Sequence, residues 1–248
     1  MKNAITLLTD HSNYGEAAFA HAQKLAQIFD AELDVISLLE KTNLNAVFAA
    51  AEEGKTLFFV MPVAFSRKLA FFNPKNARKW IAKSRVPVLT IGNMKPTENQ
   101  YQQVVLPLDI NCQDKELALW ASYFPTYLQK NLPQVPKENL LIHIIFNQYK
   151  DQFLHNKVQN NIDFVTKMFN NIEVPYLLHP FTKIDNIHTF GLDFAKKTGN
   201  CVMLFLMTEH YSLIDLLFGP VENKILGNKE DVPVLCLNAR EDIFVLCQ

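Results

Sequence analysis

The sequence is short of glycine, short of cysteine and free of long apolar runs, and each shortage removes a class of function. Seven glycines in 248 residues leave no G-x-S-x-G elbow, no P-loop and no Rossmann glycine fingerprint. The four cysteines, Cys112, Cys201, Cys236 and Cys247, show no C-x-x-C spacing, and Cys201 and Cys236 sit inside strand-like apolar runs. That usage predicts buried, reduced thiols in a cytoplasmic protein. The longest apolar stretches, Leu57–Met61 and Cys201–Met207, are strand-sized, far short of the ~20 residues that cross a bilayer. The opening MKNAITLLTDHS is broken by Thr6 and Thr9 and meets Asp10, so it does not read as a secretory signal. An excess of one charge is also missing, since 24 basic residues face 25 acidic ones. The nearest basic cluster (Lys75, Arg78, Lys79, Lys83, Arg85) reads as one solvated helix face, so neither nucleic acid nor membrane is expected as a partner.

What is present is a globular composition, 49% hydrophobic and 20% charged, enough for one large or two modest cores. The chain also repeats itself. Val86-Pro87-Val88-Leu89 returns as Val232-Pro233-Val234-Leu235, 146 residues later. The same offset aligns Phe72-Asn73-Pro74 with Phe218-Gly219-Pro220, Met61 with Met207, Ser66 with Ser212 and Phe65 with Tyr211. The openings pair at an offset of 99, Ile5–Asp10 with Val104–Asp109, so 47 residues of the second half have no counterpart in the first. The expected organisation is a shortened domain over 1–93, a polar linker over 94–102, a full domain over 103–240 and an extension over 241–248. The extension, with Asp242–Cys247, is strand-like and suited to pair with a sheet edge.

Apolar runs predict strands at 103–108, 139–146, 174–179, 201–206 and 232–238 in the second half, and near 4–9, 33–38, 57–61 and 86–91 in the first. Between them lie helical stripes: Leu117, Ala121, Phe124 and Leu128; Leu154, Val158, Ile162, Val165 and Phe169; and Ile184, Ile187, His188, Gly191, Phe194 and Ala195. Tyr14, Ala18, His21, Leu25 and Ile28 form the first helix, with Asn13 and Glu16 as its expected capping box. Strands two and three of the first half leave room for one short helix, about 43–53, and hence one strand fewer. The alternation implies α/β architecture, with parallel sheets covered on both faces.

A first strand closed by Asp, strand–helix alternation and a final P-V-L strand, present twice, resemble the universal stress protein family in tandem. The resemblance implies two flavodoxin- or Rossmann-like parallel-sheet domains of the adenine nucleotide alpha hydrolase-like kind, the first truncated. It also implies a nucleotide contact at Asp10 and Asp109, and a loop G-x2-G-x9-G-[S/T] after strand four that cradles phosphates. The Asp matches in both copies; the loop does not. In 207–220 only Gly219 survives, Pro220 takes the Ser/Thr place, and Glu209 and Asp215 bring negative charge. In 61–74 there is no glycine, and Arg67 and Lys68 are the residues there that would attract an anion. Side chains at former glycines block close backbone approach, and proline removes a donor. ATP or AMP is therefore not expected as a cofactor, and with the glycines gone helix capping is the preferred role of Asp10 and Asp109.

The remaining candidate binding residues are Asp109, Glu209, His210, Ser212 and Gly219 in the second half and Asp10 in the first. A cluster of Asp109, His179 and His210 at the carboxyl edge of the sheet is the alternative catalytic or metal arrangement, but no metal spacing supports it. His11 lies on the loop after strand one, while His21 and His188 sit on apolar stripes and read as core. The aromatics Phe58, Phe59, Phe65, Phe71 and Phe72 also read as core, with an exposed subset as the alternative if the shortened domain leaves them uncovered. No catalytic motif is found, and the function expected is stress-linked regulation through protein contacts or self-association, such as a homodimer. The second expectation is a nucleotide or other small molecule in the second-half cleft; a metal-dependent enzyme comes last.

Overall fold

The computed structural model describes residues 3–9, 12–38, 44–64, 72–110, 114–182, 184–207, 221–229 and 231–238. Their contacts divide into two compact units, 3–98 with 207 and 221–238, and 99–206. The division near 98 falls inside the segment expected as linker, whereas 221–238, expected with the second domain, groups with the first. The reason is a strand pairing described below. The tail 241–248 lies outside the described residues.

In the first unit the strands are β1 (Ala4–Thr9), β2 (Glu32–Ser37), β3 (Thr56–Pro62) and β4 (Val88–Ile91), joined by β9 (Val234–Asn238), in the order β2-β1-β3-β4-β9. The pairs among β1 to β4 are parallel. β9 runs antiparallel to β4, with Val88 opposite Cys236, Leu89 opposite Leu235 and Thr90 opposite Val234. The expectation of parallel pairing concerned the strands within each half, whereas β4 and β9 are the closing P-V-L strands of the two halves. Asn238 fastens the junction, its Nδ2 donating to the carbonyls of Ile81 (2.5 Å) and Ser84 (2.6 Å).

Helix α1 (Asn13–Phe29) is capped by Ser12, not by Asn13. The Ser12 backbone is extended and its hydroxyl accepts the Gly15 N–H at 3.2 Å, which places Asn13 inside the first turn. Helix α2 (Leu44–Glu53) occupies the room left for one short helix. Helix α3 (Pro74–Ile81) explains the Asn-Pro dipeptide: Asn73 caps it through the Asn76 N–H at 3.0 Å, and Pro74 begins the first turn, where its missing N–H costs nothing. Phe58, Phe59 and Phe72 are core, with edge-on contacts between Phe29 and Phe58 and between Phe48 and Phe59, so these three form no exposed patch. Phe65 and Phe71 lie outside the described residues.

The second unit contains β5 (Gln103–Leu108), β6 (Leu141–Asn147), β7 (Tyr176–Phe181) and β8 (Cys201–Met207), in the order β8-β5-β6-β7, paired in parallel. Helices α4 (Asp114–Asn131), α5 (Gln152–Asn171) and α6 (Ile187–Thr198) connect them, and α7 (Val221–Leu226) precedes β9. The apolar stripes of α4 and α5 are buried as spaced, apart from half-buried Leu154. Gly191 seats α6 on the sheet, because a Cβ there would lie 3.0 Å from Pro107 and 3.1 Å from Ile145. β6 is buried through six of its seven residues, whereas β2, an edge strand without a β7 counterpart beside it, has no buried residue.

Candidate functional site

In the second unit the chain steps from β5 to β6 to β7 on one side, then returns to place β8 on the other side of β5. The carboxyl ends of β5 and β8 therefore flank a topological switch point, where open α/β sheets bind ligands. Asp109 follows β5 directly at that edge. One oxygen of its carboxylate accepts the Tyr149 hydroxyl at 2.7 Å, and its main-chain carbonyl accepts Nδ2 of Asn161, from α5, at 2.7 Å. Burial, with the Asp109 carboxylate beside it, pushes the Tyr149 phenol up to about 12, so it stays protonated and donating.

Asn147 ends β6 and is 7% exposed. Its Nδ2 donates to the Ile184 carbonyl at 3.2 Å, while its enclosed Oδ1 has no hydrogen-bond partner. His188 stands in the first turn of α6, whose N-cap Asn186 accepts the Thr189 N–H at 2.8 Å. The His188 ring meets Phe205 of β8 edge-on, centroids 4.9 Å apart. The residue keeps some surface, but Nδ1 is enclosed and has no partner. Burial lowers its pKa to about 4 against the opposing pull of Asp109, so the imidazole is neutral at pH 7. Asp109, Asn147, Tyr149, Asn161 and His188 thus gather a carboxylate, a phenol, two amides and a neutral imidazole at the edge where β5 ends.

Of the residues expected from sequence, Asp109 takes this position. Asp10, His11, Glu209, His210, Ser212 and Gly219 lie outside the described residues, as do Arg67 and Lys68. His179 is not beside Asp109. It lies within β7, where its Nε2 meets Nδ1 of His143 at 3.0 Å, and Nε2 of His143 meets Oε1 of Gln103 at 2.6 Å. Gln103 directs its Nε2 to the Asn139 carbonyl, which leaves Oε1 as acceptor. His143 then carries its proton on Nε2, and His179 donates to the bare Nδ1. Gln103 opens β5 and Asp109 follows its last residue, which separates the two polar groups along the strand.

His21 is core, 2% exposed, with Nε2 3.0 Å from the Met94 carbonyl and a pKa lowered by burial to about 4. The reading of His188 as core holds for its ring but misses the orphaned nitrogen. Asn147, Tyr149 and Asn161 were not singled out, and the resemblance that marked Asp109 gave no sign of them. The described cysteines, Cys201 and Cys236, are free and buried, and burial raises both thiols, Cys201 to about 12. Neither is a thiolate nucleophile at neutral pH. Among the described residues, no group of three His, Cys, Asp or Glu is placed to hold a metal, and no helix is long and apolar enough to cross a membrane.

The open, largely parallel sheet with its strand–helix alternation is a Rossmann-like α/β fold, and it is the fold of solved universal stress proteins. A universal stress protein from Archaeoglobus fulgidus DSM 4304 superposes with a TM-score of 0.63 over 97% of both chains at 13% identity. A putative universal stress protein from Pseudomonas aeruginosa UCBPP-PA14 matches with a TM-score of 0.51 at 12% identity, over 95% of this chain and 82% of that one. A functionally unknown protein from Pseudomonas aeruginosa PAO1 matches with a TM-score of 0.50 at 13% identity, over 97% and 83%. No family model matches the sequence, and no curated protein matches it.

Proposed function

We propose that this chain is a cytoplasmic universal-stress-type regulatory protein, doubled within one polypeptide, that acts through protein contacts without chemical turnover and holds no ATP in a glycine loop. The observation that carries the doubled reading is the pairing of β4 with β9. Residues 88 and 234 are repeat equivalents, and so are 90 and 236, yet 88 faces 236 and 90 faces 234 around a central Leu89–Leu235 pair. Equivalent strands meeting this way form the self-complementary contact of a two-fold dimer, here built into one chain. The loss of glycines from 61–74 and 207–220 supports the ATP-free part. Protein partners, or a homodimer of the doubled chain, complete the reading; nucleic acid and membrane do not. Light scattering across a concentration series, with and without ATP, tests it: association indifferent to ATP supports it, and ATP-driven association contradicts it.

The second reading is a small-molecule binding protein that uses the sheet edge at Asp109. It is favoured by two enclosed atoms without partners, Oδ1 of Asn147 and Nδ1 of His188, because buried polar groups are ordinarily satisfied. A ligand that satisfies both would stabilise the folded chain and raise its Tm.

A further inference from the structure

The 47 residues without a counterpart in the first half leave one edge of its sheet open. β2 and β6 hold equivalent places, since Ile5 lies opposite Leu33 as its repeat mate Val104 lies opposite Ile142. The hydrogen bonds repeat as well: the Glu32 N–H donates to the Asn3 carbonyl at 2.9 Å, and the Leu141 N–H to the Gln102 carbonyl at 3.1 Å. On the far side of β6 the next amide, Ile142, donates to the Pro175 carbonyl at 3.1 Å, where β7 lies alongside. In β2, Glu32 and Leu38 donate inward, to Asn3 and Thr9, so the alternation of a strand turns the amides of Leu33 and Val35 outward. These two amides have no acceptor among the described residues. Val35 is 50% exposed, whereas its counterpart Ile144, opposite Leu178 of β7, is fully buried. The outer side of β2 is thus a template for one more strand.

The same edge carries charge. Glu32 and Asp34, two residues apart on one face of β2, are both exposed, and neither has an ion pair among the described residues. Lys55 stands just before β3, with β1 between it and β2. Two β2 edges brought together would crowd carboxylate against carboxylate, and no described strand of this chain carries a Lys or Arg to set beside them. A strand with a basic residue beside Asp34 and an apolar one beside Val35 would satisfy the amides, the charges and the exposed side chain together. We propose that the outer side of β2 accepts an extended, basic segment of a partner protein, alternating Lys or Arg with apolar residues, in the place that β7 takes beside β6. The proposal rests on the protein-contact reading above and names the chemistry of the partner.

The test is NMR of the full chain titrated with two synthetic peptides, one alternating lysine with valine and one alternating glutamate with valine. The expected result is saturable binding of the lysine peptide, slowed hydrogen exchange at the Leu33 and Val35 amides, and no response to the glutamate peptide. Glu32→Lys with Asp34→Lys, both at exposed positions, is expected to weaken lysine-peptide binding about tenfold or more and to gain binding of the glutamate peptide. Lysine-peptide binding that leaves the two amides unprotected is charge adhesion alone and overturns the proposal, as does equal binding of both peptides. Protection of these amides without peptide overturns it too: if it grows with protein concentration the edge belongs to a second copy, and if it does not, to a segment of the same chain. Should the variant not fold, the unaltered chain decides, and no protection by the lysine peptide overturns the proposal. That failure leaves the protein-contact reading to its own test, light scattering with and without ATP.

Discussion

Histidine is where single residues of this protein respond to their surroundings. His21, His143 and His188 all have pKa values lowered to about 4 and His179 is lowered as well, with burial the first cause in each. The unfolded chain, with ordinary imidazoles near 6.5, then binds more protons than the fold between about pH 6.5 and pH 4, and stability falls as pH drops through that window. For His21, 2% exposed, the loss between pH 7 and pH 5 is roughly 1–2 kcal/mol. Urea unfolding at the two pH values is expected to show it, and His21→Gln is expected to flatten the dependence. The sequence made His21 legible, since its helix stripe could only face a core. Asn147 and Tyr149 were not legible. A polar residue at a strand end reads as turn chemistry; the pairing of β5 with β6 sets Asn147 at the same edge as Asp109, and a hydrogen bond brings Tyr149 to it. Likewise, the spacing of His188 gives its face of the helix but not that Nδ1 lacks a partner.

At the scale of elements, the paired closing strands carry the sharpest expectations. Leu89 and Leu235 are both fully buried and stand opposite each other. Leu89→Ala and Leu235→Ala are each expected to cost about 2–5 kcal/mol, and the pair of changes to depart from additivity by about 0.5–3 kcal/mol, read by a double-mutant unfolding cycle. Asn238→Leu frees the Ile81 and Ser84 carbonyls in a half-buried corner and is expected to cost about 1–3 kcal/mol in the same assay. The edges show a different logic. β2 presents Glu32, Asp34 and half-exposed Val35, and β7 carries Pro180, the charges and proline that blunt unwanted strand addition. Glu32→Val with Asp34→Val is expected to promote self-association, measurable by sedimentation velocity. Strand positions were largely legible because buried parallel strands are continuous apolar runs. The direction of β9 was not: an apolar run bounded by proline fits a parallel or an antiparallel neighbour equally well, and the partner of Leu235 is 146 residues away.

For the whole molecule, one short helix, α2, lies between β2 and β3, whereas α5, β7 and α6 lie between β6 and β8. The consequence is visible in β2, which has no buried residue although β6 is almost wholly buried. The grouping of 221–238 with the first unit was hidden, because sequence order assigns a closing strand to the half it ends, whereas hydrogen bonding assigns it to the sheet it joins. The functional account turns on the sequence of 61–74 and 207–220, which between them keep one glycine, Gly219, of the glycine loop that the family resemblance implies. Equilibrium titration of the full chain with Mg·ATP tests this most directly. The account expects no saturable binding up to about 1 mM, where binding is worth about 4 kcal/mol. Stoichiometric binding at micromolar ATP, retained after Asp109→Asn, would contradict it.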